Sequence, residues 1–319
     1  MDLEIILIVV GLVILLVAGD VLVRGAVGLA AALKIPALLI SLTIVAFGTS
    51  APELVVTIQA VSNDSDGIAL GNIIGSNIAN ILLVLGLPAI IYPISAHVPG
   101  LRRHLSVMLL ATVMFIGVAY FFGEIDMRVG AVFFAVIFSY IGYIGFRARH
   151  GGDEPVLDDV DDYMETSGVS AKTIMFVLIG LIGLPLGAHL LVTNGEIVAA
   201  SLGVRDEIIG LTIIAFGTSL PELATVSAAA LHKKSDVAIG GVVGSNIFNL
   251  LAVGGAAGFA GAATFDPTSL HFDLPVMAAA SVILAIFVLS KRDIGRVTGL
   301  IMFAGYCAFI YGVANIATG

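Results

Sequence analysis

Charge is what this chain has least of. Only 12% of its 319 residues are Asp, Glu, Lys or Arg, tryptophan is absent, and the single cysteine, Cys307, excludes an internal disulfide. A soluble domain of ordinary composition carries roughly 25% charged residues and 45–50% apolar ones. Here the apolar share is 59% and the mean hydropathy is +1.11, so 14 Lys and Arg with 23 Asp and Glu cannot clothe a water-facing surface. A soluble enzyme, a nucleic-acid binder and a secreted disulfide scaffold are all excluded. The opening MDLEIILIVV has acids where a signal or transit peptide needs Lys or Arg, so it is expected to be the front of a first membrane helix. The bilayer is the partner this composition demands, and nothing in it suggests nucleic acid or an obligate protein partner.

The net charge of −9 is mostly one segment: Asp153, Glu154, Asp158, Asp159, Asp161, Asp162 and Glu165 lie together. Elsewhere the chain is a series of apolar runs. A helix needs about 20 apolar residues to cross the hydrocarbon layer, and the runs fit ten spans at 4–32, 37–61, 68–91, 105–122, 128–146, 172–200, 207–230, 237–260, 274–290 and 295–316. Unbroken stretches such as IILIVVGLVILLVAG exclude the alternating pattern of a membrane β-barrel. Basic residues test the count. The odd-numbered loops hold Lys34, Arg102, Arg103, Arg147, Arg149, Lys172, Lys233, Lys234, Lys291, Arg292 and Arg296, whereas the even ones hold only Arg128 and Arg205. Because positive charge stays on the cytoplasmic side, both termini are expected outside and the acidic loop in the cytoplasm.

Two pairs of strings repeat. LTIVAFGTSAPEL (42–54) returns as LTIIAFGTSLPEL (211–223), and GSNIAN (75–80) as GSNIFN (244–249), both at an offset of 169 residues. From 42 to 86 the copies agree at 22 of 45 positions. Each copy holds five spans, an odd number, so the second must enter the membrane from the opposite side. The expected fold is therefore all-α and integral to the membrane, with ten transmembrane helices arranged as two inverted five-helix repeats. The expected divisions are 1–146 for the first repeat, 147–171 for an acidic cytoplasmic linker and 172–319 for the second repeat. Transporters built this way place their sites where the repeats meet, near midplane.

Pro52 lacks an N–H and its ring clashes with the carbonyl of Gly48; Pro221 does the same to Gly217. A lone Gly and Pro in a span reads as a kink, and bare carbonyls at membrane depth are tolerated where protein, water or ions satisfy them. Here Thr49, Ser50 and Glu53 share those turns and recur as Thr218, Ser219 and Glu222. Intramembrane acids are costly and usually functional, which favours an ion site. Ser76 and Asn80, with Ser245 and Asn249, add pairs spaced i, i+4 on one helix face. Asn77 and Asn246 point elsewhere and are expected to bond neighbouring helices or freed backbone groups. Gly71, Gly75, Gly86, Gly240, Gly244 and Gly255 read as close helix packing. Asp20 is expected to pair with Arg24 on its own helix.

Every candidate donor is an oxygen, which disfavours zinc and copper and suits hard cations, calcium first, with sodium using parts of the same cage. The two glutamates balance one Ca²⁺. Three Na⁺ in that cage would leave one positive charge over.

These strings resemble the two alpha-repeats of the calcium/cation antiporter family, and the whole chain looks like its sodium/calcium exchanger branch of prokaryotic type. The resemblance implies Glu53 and Glu222 as central metal ligands. It implies that Thr49, Ser50, Thr218 and Ser219 line the sites through hydroxyls or carbonyls, as do the carbonyls of Ala46 and Ala215, and that Ser76, Asn80, Ser245 and Asn249 complete them. It further implies secondary antiport, Na⁺ inward for Ca²⁺ outward by alternating access, with spans one and six sliding across the rest. No cofactor and no catalytic residue is implied, and the setting would be a prokaryotic inner membrane. H⁺/Ca²⁺ exchange and K⁺-dependent Na⁺/Ca²⁺ exchange use the same scaffold, and a passive cation channel is the alternative of another class. Some prokaryotic members carry aspartate where this chain has Asn249, so one titratable group is missing. The acidic loop lacks the ligand spacing of an EF-hand and reads as a solvated linker. Deleting residues 153–165 is expected to leave the calcium dependence of transport unchanged; a shifted dependence would make the loop regulatory.

Overall fold

The computed structural model describes residues 2–149, 169–201, 215–267 and 269–318. The acidic stretch, Arg205 and the first part of the seventh span lie outside these. The described residues form α1 (Asp2–Leu33), α2 (Ala37–Thr49 and Ala51–Ser62, bent by 42°), α3 (Asp66–Ile91), α4 (Leu101–Phe121), α5 (Met127–Arg149), α6 (Ala171–Ser201), α7 (Ala215–Thr218 and Leu220–Leu231), α8 (Ser235–Ala260), α9 (Ser269–Ser290) and α10 (Arg296–Thr318). Strands β1 (Glu124–Ile125) and β2 (Ala263–Thr264) pair antiparallel. Eight of the helices are long and apolar enough to cross a membrane, and the bent α2 makes nine. α7 is the tenth, described over its second part. Departures from the expected bounds reach five residues in the ninth span, which begins at Ser269, not 274, and four in the fourth span, which begins at Leu101, not 105. Its first turn carries Arg102, Arg103 and His104, too polar for a hydropathy window yet able to stay helical at a membrane interface.

The inverted repeat is visible in the contacts. α1 and α6 are the same element of the two copies, and they run antiparallel along each other. A Cβ on Gly11 would lie 2.8 Å from the carbonyl of Gly187, and one on Gly187 would lie 2.9 Å from the carbonyl of Gly11. Further along, Gly25 meets Val177 and Gly180 meets Leu22, so rising numbers in α1 face falling numbers in α6. Small residues let the backbones approach, which is how apolar helices associate where lipid offers no hydrophobic drive.

The same two-fold governs the ends of the bundle. The 169-residue offset carries the bridge Ile94–Ile294 onto the β1–β2 pair Ala263–Ile125. It carries the Ser95 N–H donated to Ser235 Oγ onto the Thr264 N–H donated to Asp66 Oδ2, each at 3.0 Å. It also carries Gly86 against Gly299 onto Gly255 against Gly130. α2 and α7 both end in turns closed by a left-handed residue, Asp64 (φ 54°) and Lys233 (φ 59°). In each, the next N–H reaches back, Ser65 to the Ala60 carbonyl and Lys234 to that of Ala229, the pattern of a Schellman cap. At one end of the bundle, Ser95 Oγ donates to Asp293 at 2.8 Å and holds that carboxyl below its ordinary range.

α3 and α8 form the centre: 83% and 94% of their apolar windows are buried, against 28% in α1 and in α6. The outer helices are therefore the ones with lipid on one side. Gly86, Gly240, Gly244 and Gly255 pack as expected, each too close to a neighbour to admit a Cβ freely. Gly71 and Gly75 meet no described atom; the segment matching the partners of Gly240 and Gly244 falls at 207–215, of which 207–214 lie outside the described residues. Asp20 pairs with Arg24 at 2.9 Å, as expected, and also bonds His232 beyond the end of α7.

Packing predicts opposite signs for two Gly→Ala changes. At Gly299 the new Cβ would sit 2.5 Å from the Gly86 carbonyl, whereas at Gly145 no described atom lies within 4 Å. Gly299→Ala should lower thermal stability in detergent by about 1–3 kcal/mol. Gly145→Ala should be neutral or stabilise by roughly 0.5–1 kcal/mol.

Candidate functional site

The repeated GTSxPE string produces the same local geometry twice. α2 breaks at Ser50 (φ −83°, ψ 6°) and α7 at Ser219 (φ −86°, ψ 2°), both in the sparsely populated bridge region. In each case proline is the second residue of the helix that follows, where its missing N–H costs nothing. Glu53 and Glu222 stand in the first turn after the break, where the helix dipole favours an anion. Both are 2% exposed or less.

α3 and α8 meet these breaks with a second repeated device. Each passes into a π-helical turn, at Asn80–Leu85 and Asn249–Val253, and each turn begins on a candidate asparagine. Such turns loosen the backbone ladder and cluster at functional sites. α2 has one as well, at Ser41–Val45, just before the break.

These elements bring candidates of the two copies together. Ser50 Oγ donates to Glu222 Oε1 at 3.2 Å, and the Thr49 and Ser245 hydroxyls lie 3.4 Å apart with both near Glu222. Thr218 stands beside Glu53, and the two carboxylates are within Coulombic reach of each other. Asn80 Nδ2 donates to Asn246 Oδ1 at 3.0 Å. Ser76 is buried on the Asn80 face of α3, one turn before it. The Ala46 carbonyl accepts the Ser50 N–H at 3.0 Å and the Thr49 hydroxyl at 3.4 Å. Ala215 opens the short helix ahead of the α7 break. As expected, Asn77 and Asn246 turn to other partners: Asn77 Nδ2 donates to the Ile73 carbonyl, and Asn246 reaches α3.

Several buried oxygens in this cluster find no hydrogen-bond partner among the described residues: both of Glu53, Oε2 of Glu222, Oγ of Ser219, and the amide oxygens of Asn80 and Asn249. Buried carboxylates demand a counter-charge. No group of three or more His, Cys, Asp or Glu is placed to hold a metal ion among the described residues, so a cation here would draw its remaining ligands from hydroxyls, amides and carbonyls. That is a hard-cation environment.

Asn72 was not among the expected residues. Its Nδ2 donates to the Glu53 carbonyl at 3.0 Å and to Thr57 Oγ1 at 2.9 Å, and its Oδ1 accepts from Thr218 at 3.5 Å. It ties α3 to the turn that carries Glu53. Its repeat position is Gly241, so a search for polar residues shared by both copies passes over it.

The family model described as sodium/calcium exchanger protein matches residues 3–148 and 172–314. The chain belongs to that family. Among the exchanger's relatives, "Sodium/calcium exchanger MaX1" of Methanosarcina acetivorans is 31% identical over 94% of this chain and 95% of its own. "Inner membrane protein YrbG" of Escherichia coli is 32% identical over 95% and 94%. The sodium-calcium exchanger NCX_Mj, soaked with 2.5 mM Na⁺ and 0.1 mM Ca²⁺, superposes with a TM-score of 0.83 at 28% identity, over 97% of this chain and 98% of that one. Family and fold thus agree on an integral-membrane cation/Ca²⁺ exchanger of two inverted five-helix repeats.

The buried carboxylate pair predicts two changes that part company. Glu222→Gln or Glu53→Gln removes the like-charge repulsion between the two, so without Ca²⁺ or Na⁺ the variant should melt no lower than the parent. Added Ca²⁺ at a hundred times the parent's Kd should stabilise the parent by about 2.7 kcal/mol and either variant by much less. Thermal unfolding with and without Ca²⁺ reads both, and a full Ca²⁺ shift in either variant would remove that glutamate from the site.

Proposed function

We propose that this exchanger is a secondary antiporter in which Na⁺ moving inward expels Ca²⁺ at one shared site near midplane. The observation that carries the reading is the meeting of Glu53 and Glu222, repeat-equivalent, buried and with three of their four carboxylate oxygens free of protein partners among the described residues. Their combined charge balances one Ca²⁺. Thr49, Ser50, Thr218, Ser219, Ser76, Ser245, Asn80 and Asn249, with the carbonyls of Ala46 and Ala215, supply the neutral oxygens. Three Na⁺ would share the same oxygens, so the cage holds one cargo or the other. Transport then needs competition and a conformational exchange of access, with no bond made or broken.

The moving part in this reading is the pair α1 and α6. They pack on each other at Gly11 and Gly187, and α1 meets α7 where Gly19 lies against Ala224, small residues that offer little side-chain interlock, while α3 and α8 stay enclosed. Residues 1–146 and 172–319 act as the two repeats, with 147–171 joining them in the cytoplasm. Both termini lie outside, on the charge asymmetry of the loops. An inner membrane is the proposed setting, in keeping with the name of the Escherichia coli relative.

Proteoliposomes loaded with Na⁺ and diluted into Ca²⁺ test the proposal. Ca²⁺ uptake should require internal Na⁺, and K⁺-loaded or pH-jumped vesicles should stay near background. With three Na⁺ leaving per Ca²⁺, one net positive charge leaves the vesicle, so an inside-positive potential should accelerate uptake. One charge in 100 mV is worth about 2.3 kcal/mol, on the order of fifty-fold in the final Ca²⁺ gradient. Uptake driven by protons alone, or Ca²⁺ flux with no counter-ion, would overturn the assignment.

A further inference from the structure

Each GSN string contributes an asparagine that the ligand set leaves aside, Asn77 on α3 and Asn246 on α8, both 1% exposed. We propose that these are positioning residues: Asn246 decides which end of the Asn80 amide faces the cation, and Asn77 is placed to do the same for Asn249. This rests on the reading of Asn80 as a ligand given above.

A carboxamide is two-faced. Its oxygen and nitrogen ends are almost the same size, but only the oxygen can ligate a cation, and the NH₂ end repels one. Half a turn about χ2 would convert Asn80 from ligand to obstacle, so something must set its sense. The structure supplies a chain anchored on a group that can only accept. The backbone carbonyl of Asn77 lies 3.4 Å from Asn246 Nδ2, which assigns the nitrogen end of Asn246. Its Oδ1 is then the end presented to Asn80, whose Nδ2 donates to it at 3.0 Å. The oxygen of Asn80 is left as the free end, buried and without a described partner.

The other half of the device is set but not closed. Asn77 Nδ2 donates to the Ile73 carbonyl at 2.7 Å, again an acceptor that cannot change role, so Oδ1 is its free end. That oxygen and both ends of the Asn249 amide have no described partner. The 169-residue offset carries the Asn80–Asn246 pair onto Asn249–Asn77. Asn77 Oδ1 is thus the acceptor that would take Asn249 Nδ2 and turn Asn249 Oδ1 to the cation. Neither Asn77 nor Asn246 touches the ion in this arrangement; each acts through the amide it orients.

A carboxylate needs no such help, because both its ends are oxygen. That difference supplies the test. Ca²⁺ binding is measured by isothermal titration on the full-length chain in detergent, with melting temperature recorded for every variant. Asn246→Leu should weaken Ca²⁺ binding roughly ten- to hundredfold, the range of a lost hydrogen bond or ligand at a charged centre. In an Asn80→Asp background the same Asn246→Leu change should cost less than about twofold, the non-additivity expected of coupled neighbours. Asn77→Leu, rescued by Asn249→Asp, gives the same reading from the other copy should Asn246→Leu fail to fold. Equal losses in the parent and in the Asn80→Asp background would make Asn246 a packing residue and overturn the proposal, as would parental affinity in Asn246→Leu. Parental affinity in Asn80→Leu would instead overturn the ligand reading on which the proposal rests.

Discussion

Two carboxylates held together away from water cannot be left alone. Unit charges of one sign 4 Å apart repel by about 4 kcal/mol even at an effective dielectric of 20, and each also loses its hydration on burial. Glu53 and Glu222 are under that constraint, and the surrounding architecture can be read as its consequence. The broken helices place each glutamate at a helix start, where backbone dipoles offset part of its charge. Serine and threonine hydroxyls surround the carboxylates but pair with only part of them. What is left over is a demand for positive charge in a cage of oxygen. A protein that must meet this demand with passing cargo has no use for a permanent counter-ion such as arginine, which would answer it once and for all.

The two-fold that creates the site is obeyed closely at the periphery and broken at the centre. The end clasps, the glycine contacts and the helix-ending turns repeat at the same offset. Near the glutamates the copies diverge. Asn72 braces the Glu53 turn while its counterpart is Gly241, and Asn80 has an amide partner where Asn249 has none among the described residues. A strictly symmetric cage would offer equivalent positions to every cation. Unequal bracing makes the positions unequal, in keeping with the proposed competition of one divalent and several monovalent ions for one volume.

Much of this was legible in the sequence because the motif residues act through local chemistry. Proline in GTSxPE dictates a helix break wherever it falls, and two glutamates at membrane depth announce a site. The ten spans and their inversion followed from hydropathy and an odd number of spans per copy. Three things were not legible. The π-helical turns that begin at Asn80 and Asn249 leave no mark in hydropathy or helix propensity. Asn72 has glycine, Gly241, as its counterpart, so the repeat gives no sign of it. The bond between Asp20 and His232 joins residues 212 apart, one on α1 and one in the turn after α7, and neither string hints at the other.

The turns that close α2 and α7 share a left-handed residue and the same backward bond, yet one is built on Asp64 and the other on Lys233. Backbone and charge are thus specified separately. A five-helix copy by itself has no preferred way up; its fold serves equally well in either direction through the bilayer. On turns that fold alike the copies carry opposite charge, aspartate in one and lysine in its twin. Positive side chains favour the cytoplasmic side of a membrane, and the backbone of these turns is the same with either residue. Orientation can therefore rest on residues that the fold of the turn does not require, so one scaffold meets both demands.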